Sequence, residues 1–431
     1  MSLKTKKDLR NLFIYQVYIR NHNLSGTFTE FEKDLDRIKS LGVDVIYFLP
    51  IHKIGQKRKK GSLGCPYSIQ DYYSINPEYG TLDDFLQLLD EIHNRGMKVM
   101  IDIVFNHTSH DAVLLQEHPE YYVKNEKGEF ANRVGDWWDI TDLDYQSNIS
   151  LWEYLICNLL YWTKMGIDGF RWDVASLLPK EFLEEAEERV HEVNQDVIFL
   201  SESVHGSFVR YLRQLGYKAL SESEIYQIFD MAYDYDTHPY FEKYLKHEGT
   251  FKRYLEELIR QEEVYPDNYV KMRNLENHDF GRFAPMVNND YFKIINWTAL
   301  MFFSKGATLM YAGGEYCDNN LPSLFDLDKV NWDGKDISSL VAKLAHLTKD
   351  KIFSYGNYDI HLTDKDVYYG EYKLDNKHVV GIFNIGQENG ALDLKIKDGI
   401  YMNLLTNKDF LIKNQKIILQ SEPILFWVVQ S

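Results

Sequence analysis

Along the first three quarters of the chain, an amphipathic helical pattern repeatedly ends at a glycine and runs into a short apolar segment. FEKDLDRIKSLG precedes VDVIYFLP at Gly42, FLQLLDEIHNRG precedes MKVMIDIVF at Gly96, and LWEYLICNLLYWTKMG precedes IDGFRWDV at Gly166. FVRYLRQLG precedes YKALSES at Gly216, and FKIINWTALMFFSKG precedes ATLMYAG at Gly306. Glycine accepts the left-handed conformation that closes a helix, so each marks a C-cap and locates the strand that follows. With IYQVYI near Tyr15, DVIFLSES near Phe199 and YVKMRNLENHD near Met272, the pattern predicts eight strands alternating with helices. Such alternation implies a parallel sheet, and eight units imply a closed (β/α)8 TIM barrel. A doubly wound open sheet would carry a glycine-rich phosphate loop after its first strand, and IYQVYIRNHN has none.

One connection is too long for a simple loop. Residues 106–146 are polar, aromatic and irregular, and segments of that size in compact domains are usually functional. They read as a B-domain insertion after strand 3, overhanging the barrel mouth. After about Lys351 the pattern changes to short alternating segments (VYYGEYKL, HVVGIFNI, LDLKIKD, YMNLLT, KIILQ, ILFWVV) separated by turn sites. The expected organisation is therefore barrel over 1–105, insertion over 106–146, barrel over 147–350 and a C-terminal antiparallel β-sandwich domain over 351–431.

Composition adds exclusions. The 431 residues are 45% hydrophobic and 26% charged, enough for a large core. A formal net charge of -17 opposes phosphate-rich partners, so no nucleic acid is expected. The basic run Lys57, Arg58, Lys59 and Lys60 reads as a solvated loop. Cys65, Cys157 and Cys317 match neither a disulfide framework nor a metal motif and suit a reducing compartment. With no signal-like start and no apolar span, the chain reads as soluble and cytoplasmic, without a membrane partner.

In a parallel barrel, chemistry comes from the C-terminal ends of strands. MKVMIDIVFNH ends in Asp102, Asn106 and His107; GFRWD puts Arg171 and Asp173 on one face; VIFLSES delivers Glu202; and YVKMRNLENHD ends in Asn277, His278 and Asp279. Acetal cleavage needs two carboxyl groups, one to protonate the departing oxygen and one to meet the cationic sugar carbon. Arg171 would hold Asp173 ionised, while apolar Phe199 and Leu200 would raise Glu202 toward a useful acid. Taken singly, Arg171 with Asp173 reads more readily as a structural ion pair. Asp102 reads equally as a loop support, and His107 and His278 equally as hydrogen-bonded core residues.

Read together, these strand ends resemble the α-amylase superfamily of glycoside hydrolases (glycoside hydrolase family 13) over essentially the entire chain. DIVFNH, GFRWDVA, FLSES and LENHD look like its four conserved regions, and TDLDY (Thr141 to Tyr145) like the element closing the inserted domain. The resemblance implies that Asp173 is the nucleophile of a covalent glycosyl-enzyme, Glu202 the acid and then base, and Asp279 the transition-state stabiliser. It implies substrate binding by Tyr67, Asp102, His107, Arg171, His278 and Arg282, and retaining hydrolysis of α-1,4 bonds in α-glucans or starch-derived oligosaccharides. A transglycosylase or phosphorylase of the same family is the alternative, and a non-catalytic carbohydrate-binding protein a remote one. Tyr121, Trp137 and Trp138 fall in the insertion, where packing is the more frequent role of such side chains.

The departures also carry information. Calcium-dependent members carry Lys-His shortly after the nucleophile, whereas this chain has Ser176 and Leu177. Asn106 and Asp142 match other calcium-site positions, but two oxygen ligands fall short of the usual six to eight. No cofactor or metal is therefore expected, and Asn106 and Asp142 are the candidate ligands if calcium binds. Exo-acting glucosidases follow the stacking Tyr with an Asp that helps an Arg close the pocket. Here Ser68 follows Tyr67 while Arg282 lies shortly after Asp279, so half of that closure is absent and a cleft open to longer chains is implied.

Overall fold

The computed structural model describes residues 4–134, 136–146 and 149–428. Eight parallel strands close a barrel: β1 Phe13–Val17, β2 Val45–Phe48, β3 Lys98–Ile103, β4 Gly169–Trp172, β5 Ile198–Ser201, β6 Met231–Tyr233, β7 Lys271–Arg273 and β8 Ala307–Tyr311. β8 pairs with β1, Thr308 facing Phe13. Gly42, Gly96, Gly166 and Gly216 each stand two residues past the end of a helix with positive φ, from 67° at Gly96 to 106° at Gly166. Gly306 is a correction: its helix ends at Phe303 with Ser304 extended, and glycine is needed at 306 because a Cβ there would fall 2.3 Å from the Lys271 carbonyl oxygen. The helix Leu82–Asn94 shows how the pattern works. Thr81 and Asp84 form a capping box at its start, and Phe85, Leu88, Leu89 and Ile92 make its buried stripe.

The sixth strand is a correction. YKALSES forms no strand; its Ser221 instead caps a short helix, Glu222–Ile225. The strand is the three-residue Met231–Tyr233, in IFDMAYDYD, buried on both faces and too short for periodicity to reveal.

Strand alternation sorts side chains into two layers. Ile14, Val45, Tyr47, Met100, Ile198, Leu200, Met231, Tyr233, Met272 and Leu309 fill the barrel interior. Phe170, Trp172 and Phe199 point outward against the helices. The same rule sends Lys271 and Arg273 outward on β7, where both are buried. Lys271 ion-pairs with Glu222 and Asp236, and Arg273 with Asp234 at 2.7 Å, while Gln261 donates to Asp234 and Asp236.

Two excursions rise from the mouth. The anticipated one carries strand pairing between His107–Ser109 and Ile140–Asp142. The other, between β2 and the helix Leu82–Asn94, contains the hairpin His52–Ile54 with Ile69–Ile75 and was not anticipated. The C-terminal region forms two four-stranded antiparallel sheets. Val367, Tyr369, Val380, Ile382, Phe410, Ile412, Ile417 and Phe426 pack between them. Alternate residues Tyr368, Tyr372 and Phe383 turn the other way, onto Phe303 of the barrel layer. Among the described residues no helix is long and apolar enough to cross a membrane.

Candidate active site

Alternation along β3, β4 and β5 aims Asp102, Arg171, Asp173 and Glu202 above the apolar interior, and one guanidinium gathers them. Arg171 Nη1 donates to Asp102 Oδ1 at 2.9 Å and Asp173 Oδ1 at 2.8 Å, and its Nη2 lies 3.0 Å from Glu202 Oε2. The backbone N–H of Val174 also donates to Glu202 Oε2 at 2.8 Å. To do so, Val174 adopts a left-handed conformation with φ 40° and ψ 41°, which is unusual for a β-branched residue and places strain beside the carboxylate pair.

One cation serves three carboxyl groups. Burial pushes Asp102 up to about 6 despite Arg171. Burial also raises Asp173, with Glu202 and Asp102 adding to the effect and Arg171 opposing it. Asp102 is 0% exposed and accepts from Tyr47 (2.7 Å) and Tyr67 (2.8 Å) as well as Arg171. It therefore anchors Arg171 and Tyr67 from beneath and does not itself reach the cleft, which corrects its expected contact with substrate.

Tyr67 joins this anchor to the end of β7. Its hydroxyl lies 2.7 Å from His278 Nε2, and the two rings lie nearly parallel, 12° apart, with centroids 5.5 Å apart. Gln16, the one polar residue in the middle of β1, donates to His278 Nδ1 at 3.0 Å. With Nδ1 accepting, the proton belongs on Nε2, and burial keeps the ring neutral by lowering it to about 3. Asp279 Oδ2 lies 3.2 Å from that Nε2, and its side chain is 40% exposed at the mouth. Asn277 holds the turn, accepting from the N–H groups of Asp279 and Phe280 at 2.8 and 3.1 Å. His107 is buried and kept neutral, lowered to about 4, and sits 5.7 Å from the Trp137 ring.

The structure thus brings Tyr67, His107, Arg171, Asp173, Glu202, His278 and Asp279 together over Asp102. Arg282 does not join them. Its side chain is 0% exposed and bound to Glu276 (2.6 Å) and Asp318 (3.0 Å), and to the carbonyls of Asn320 and Ala312, so it braces the loop after β8. Sequence reading missed Gln16, Tyr47 and the backbone strain at Val174; of these only Gln16, a polar residue inside an apolar strand, carried a visible signal. In the insertion, Tyr121 is buried against His118, Trp137 packs on the apolar cluster around Val174 and Leu212, and Trp138 is 51% exposed.

The matched calcium positions do not fit the ion. Asn106 Nδ2 lies 3.4 Å from Asp142 Oδ1, and Arg133 occupies the other side of that carboxylate, its backbone N–H at 2.9 Å and its Nε at 3.5 Å. Asn106 Oδ1 is buried without a partner, so the site offers a lone carbonyl and a carboxylate already facing a guanidinium. Among the described residues no group of three or more His, Cys, Asp or Glu could hold a metal.

The α-amylase catalytic domain matches residues 16–140 and 135–353, and the bacterial α-amylase C-terminal domain matches residues 359–426. An α-amylase structure from Lactobacillus plantarum is 40% identical with a TM-score of 0.96, covering 98% of this chain and 100% of that one. A maltogenic α-amylase structure from Thermotoga neapolitana is 31% identical with a TM-score of 0.88 over the same shares. Among curated proteins, an α-1,4-glucan:maltose-1-phosphate maltosyltransferase from Myxococcus xanthus is 29% identical over 57% of this chain and 38% of its own length. The chain thus spans well under two thirds of that relative.

Proposed function

Because the chain belongs to the α-amylase family, we propose that it is a retaining glycoside hydrolase cleaving α-1,4-glucosidic bonds in starch-derived oligosaccharides or other α-glucans. The observation that carries this is the single guanidinium of Arg171, which holds Asp173 and Glu202 side by side at 2.8 and 3.0 Å. A shared clamp suits the close carboxyl spacing, about 5–5.5 Å, of double displacement. Asp173 attacks the anomeric carbon from one face while Glu202 gives its proton to the glycosidic oxygen, releasing the leaving sugar and forming a glycosyl ester on Asp173. Val174 N–H and Arg171 occupy Glu202 Oε2, which leaves Oε1 for the proton. Glu202, now a carboxylate, takes a proton from water; the water oxygen attacks the same carbon, and Asp173 departs with its electron pair.

Asp279, half open to the mouth, accepts from sugar hydroxyls and steadies the cationic carbon, while neutral His278 and His107 line the same pocket and Tyr67 supplies a ring face for the sugar. No cofactor enters this scheme. Three free thiols, including exposed Cys157, support a reducing, cytoplasmic setting.

Chromatography of products from maltoheptaose tests the reading: shorter maltooligosaccharides appear, and vanish with Asp173→Asn. The likeness to a maltosyltransferase favours a second reading, transfer of the glycosyl group to phosphate or a sugar. Longer or phosphorylated products and little free sugar would select it. No turnover of any α-glucan would leave a non-catalytic carbohydrate-binding protein.

A further inference from the structure

The loops after β2 and β8 meet over β1, which stands opposite β5, the strand of Glu202, in the barrel ring. Leu63 N–H donates to the Phe325 carbonyl at 2.9 Å. The Ser62 N–H and hydroxyl both donate to Asp326 Oδ1, at 2.8 and 2.7 Å. Arg20, just after β1, pins both loops by donating to the carbonyls of Gly64 (3.1 Å) and Leu324 (2.9 Å) while its other nitrogens bind Glu78. The approach is close enough to require glycine at 61, where φ is 62° and a Cβ would fall 2.6 Å from that of Phe325.

From this junction Lys60 reaches the insertion. Its Nζ ion-pairs with Asp139 Oδ1 at 2.7 Å and lies 5.7 Å above the Trp138 ring and 5.9 Å above that of Phe325. Asp139 is buried, and its carbonyl accepts the Ser68 hydroxyl at 3.1 Å. The pair stands beside His107, whose charge Asp139 favours and Lys60 opposes. Three loops therefore join into one wall next to Tyr67 and His107, on the side of the mouth facing away from the acid.

In the reaction proposed above, on which this inference rests, the leaving sugar departs on the Glu202 side, so the sugars on the non-reducing side of the bond run toward β1. We infer that Lys60, Asp139 and the Ser62–Phe325 junction form an end wall to that half of the cleft, so that the enzyme accepts only the non-reducing ends of α-glucan chains. This reverses the open cleft implied by Ser68 and Arg282. Arg282 is turned inward, and the closure is built from Lys60 and Asp139, with Ser68 supporting the latter.

The experiment compares maltoheptaose with maltoheptaose whose non-reducing glucose carries a 4,6-ethylidene cap, following products by chromatography. The wall predicts that the wild-type protein cleaves the free-ended substrate about 100-fold more efficiently than the capped one. It also predicts that one short sugar accumulates from the start. Lys60→Ala, and independently Phe325→Ala, should raise cleavage of the capped substrate relative to the free one at least tenfold. Equal wild-type cleavage of both substrates, with a spread of interior products, overturns the inference while leaving hydrolysis intact. Cleavage of neither overturns the functional reading and this one with it.

Discussion

Two strands of this barrel end in a pair of charged or chargeable residues spaced two apart, and the pairs have opposite fates. On β4, Arg171 and Asp173 point into the mouth, where one cation meets Asp102, Asp173 and Glu202. On β7, Lys271 and Arg273 point outward, where two cations meet Glu222, Asp234 and Asp236 under helix cover. The outer network is nearly neutral and closed, as a buried structural network must be. The mouth carries two surplus carboxyl groups, a strained Val174 and an unpartnered Arg171 Nε. Such imbalance is costly in a core and useful where a proton must move and a cationic carbon must be met.

The contrast can be broken most forcefully at the mouth. Asp173→Asn and Glu202→Gln should each lower kcat by about 10³-fold or more while leaving thermal unfolding near wild type. A rate within tenfold of wild type in either variant would remove that residue from its role. The outer network should behave in the opposite way. Lys271→Met strands Glu222 and Asp236 beneath the helices and should cost ~3–5 kcal/mol in denaturant unfolding, with little change in kcat of the folded protein.

A pH series sharpens the comparison. Burial pushes Glu222 up to about 7, above its ordinary 4.5, so the folded state holds this proton more tightly than the unfolded chain does. Its stabilising contribution is complete below about 4.5 and is lost as pH rises through about 7. Measured as the difference between wild type and Glu222→Gln, which cancels the other titrating groups, the unfolding free energy should fall across that window by up to about 3 kcal/mol. The smallest effect belongs to the insertion. Arg133→Gln, which leaves buried Asp142 without its guanidinium, should cost about 1–2 kcal/mol. Adding a chelator to the wild-type protein should shift neither melting nor activity.

The same comparison shows what could be read from residues alone. The glycine caps marked helix ends because positive φ is a local demand, met at Gly42, Gly96, Gly166 and Gly216, while Gly306 answers to a close approach of the Lys271 carbonyl instead. Asp173, Glu202, His278 and Asp279 were legible because they follow apolar strands and a polar strand end is conspicuous. Which way a pair faces was not legible. R-W-D and K-M-R have the same spacing, and only the pairing of β4 and β7 with their neighbours decides inside from outside. Met231–Tyr233 escaped because three residues carry no period. Arg282 misled because proximity to Asp279 in sequence says nothing of Glu276 and Asp318, which capture it. Lys60 looked like part of a solvated run because its partner, Asp139, lies on a different loop.

The central claim is that Asp173 carries the sugar between the two half-reactions, and covalent trapping tests it most directly. Incubation with a 5-fluoro-α-glucosyl fluoride, whose electron-poor ring slows release of the ester, followed by peptide mass spectrometry, should find one glycosyl adduct on the peptide containing Asp173. The adduct should be absent from Asp173→Asn. Turnover of the reagent without an adduct, or an adduct on another carboxylate, would contradict the account.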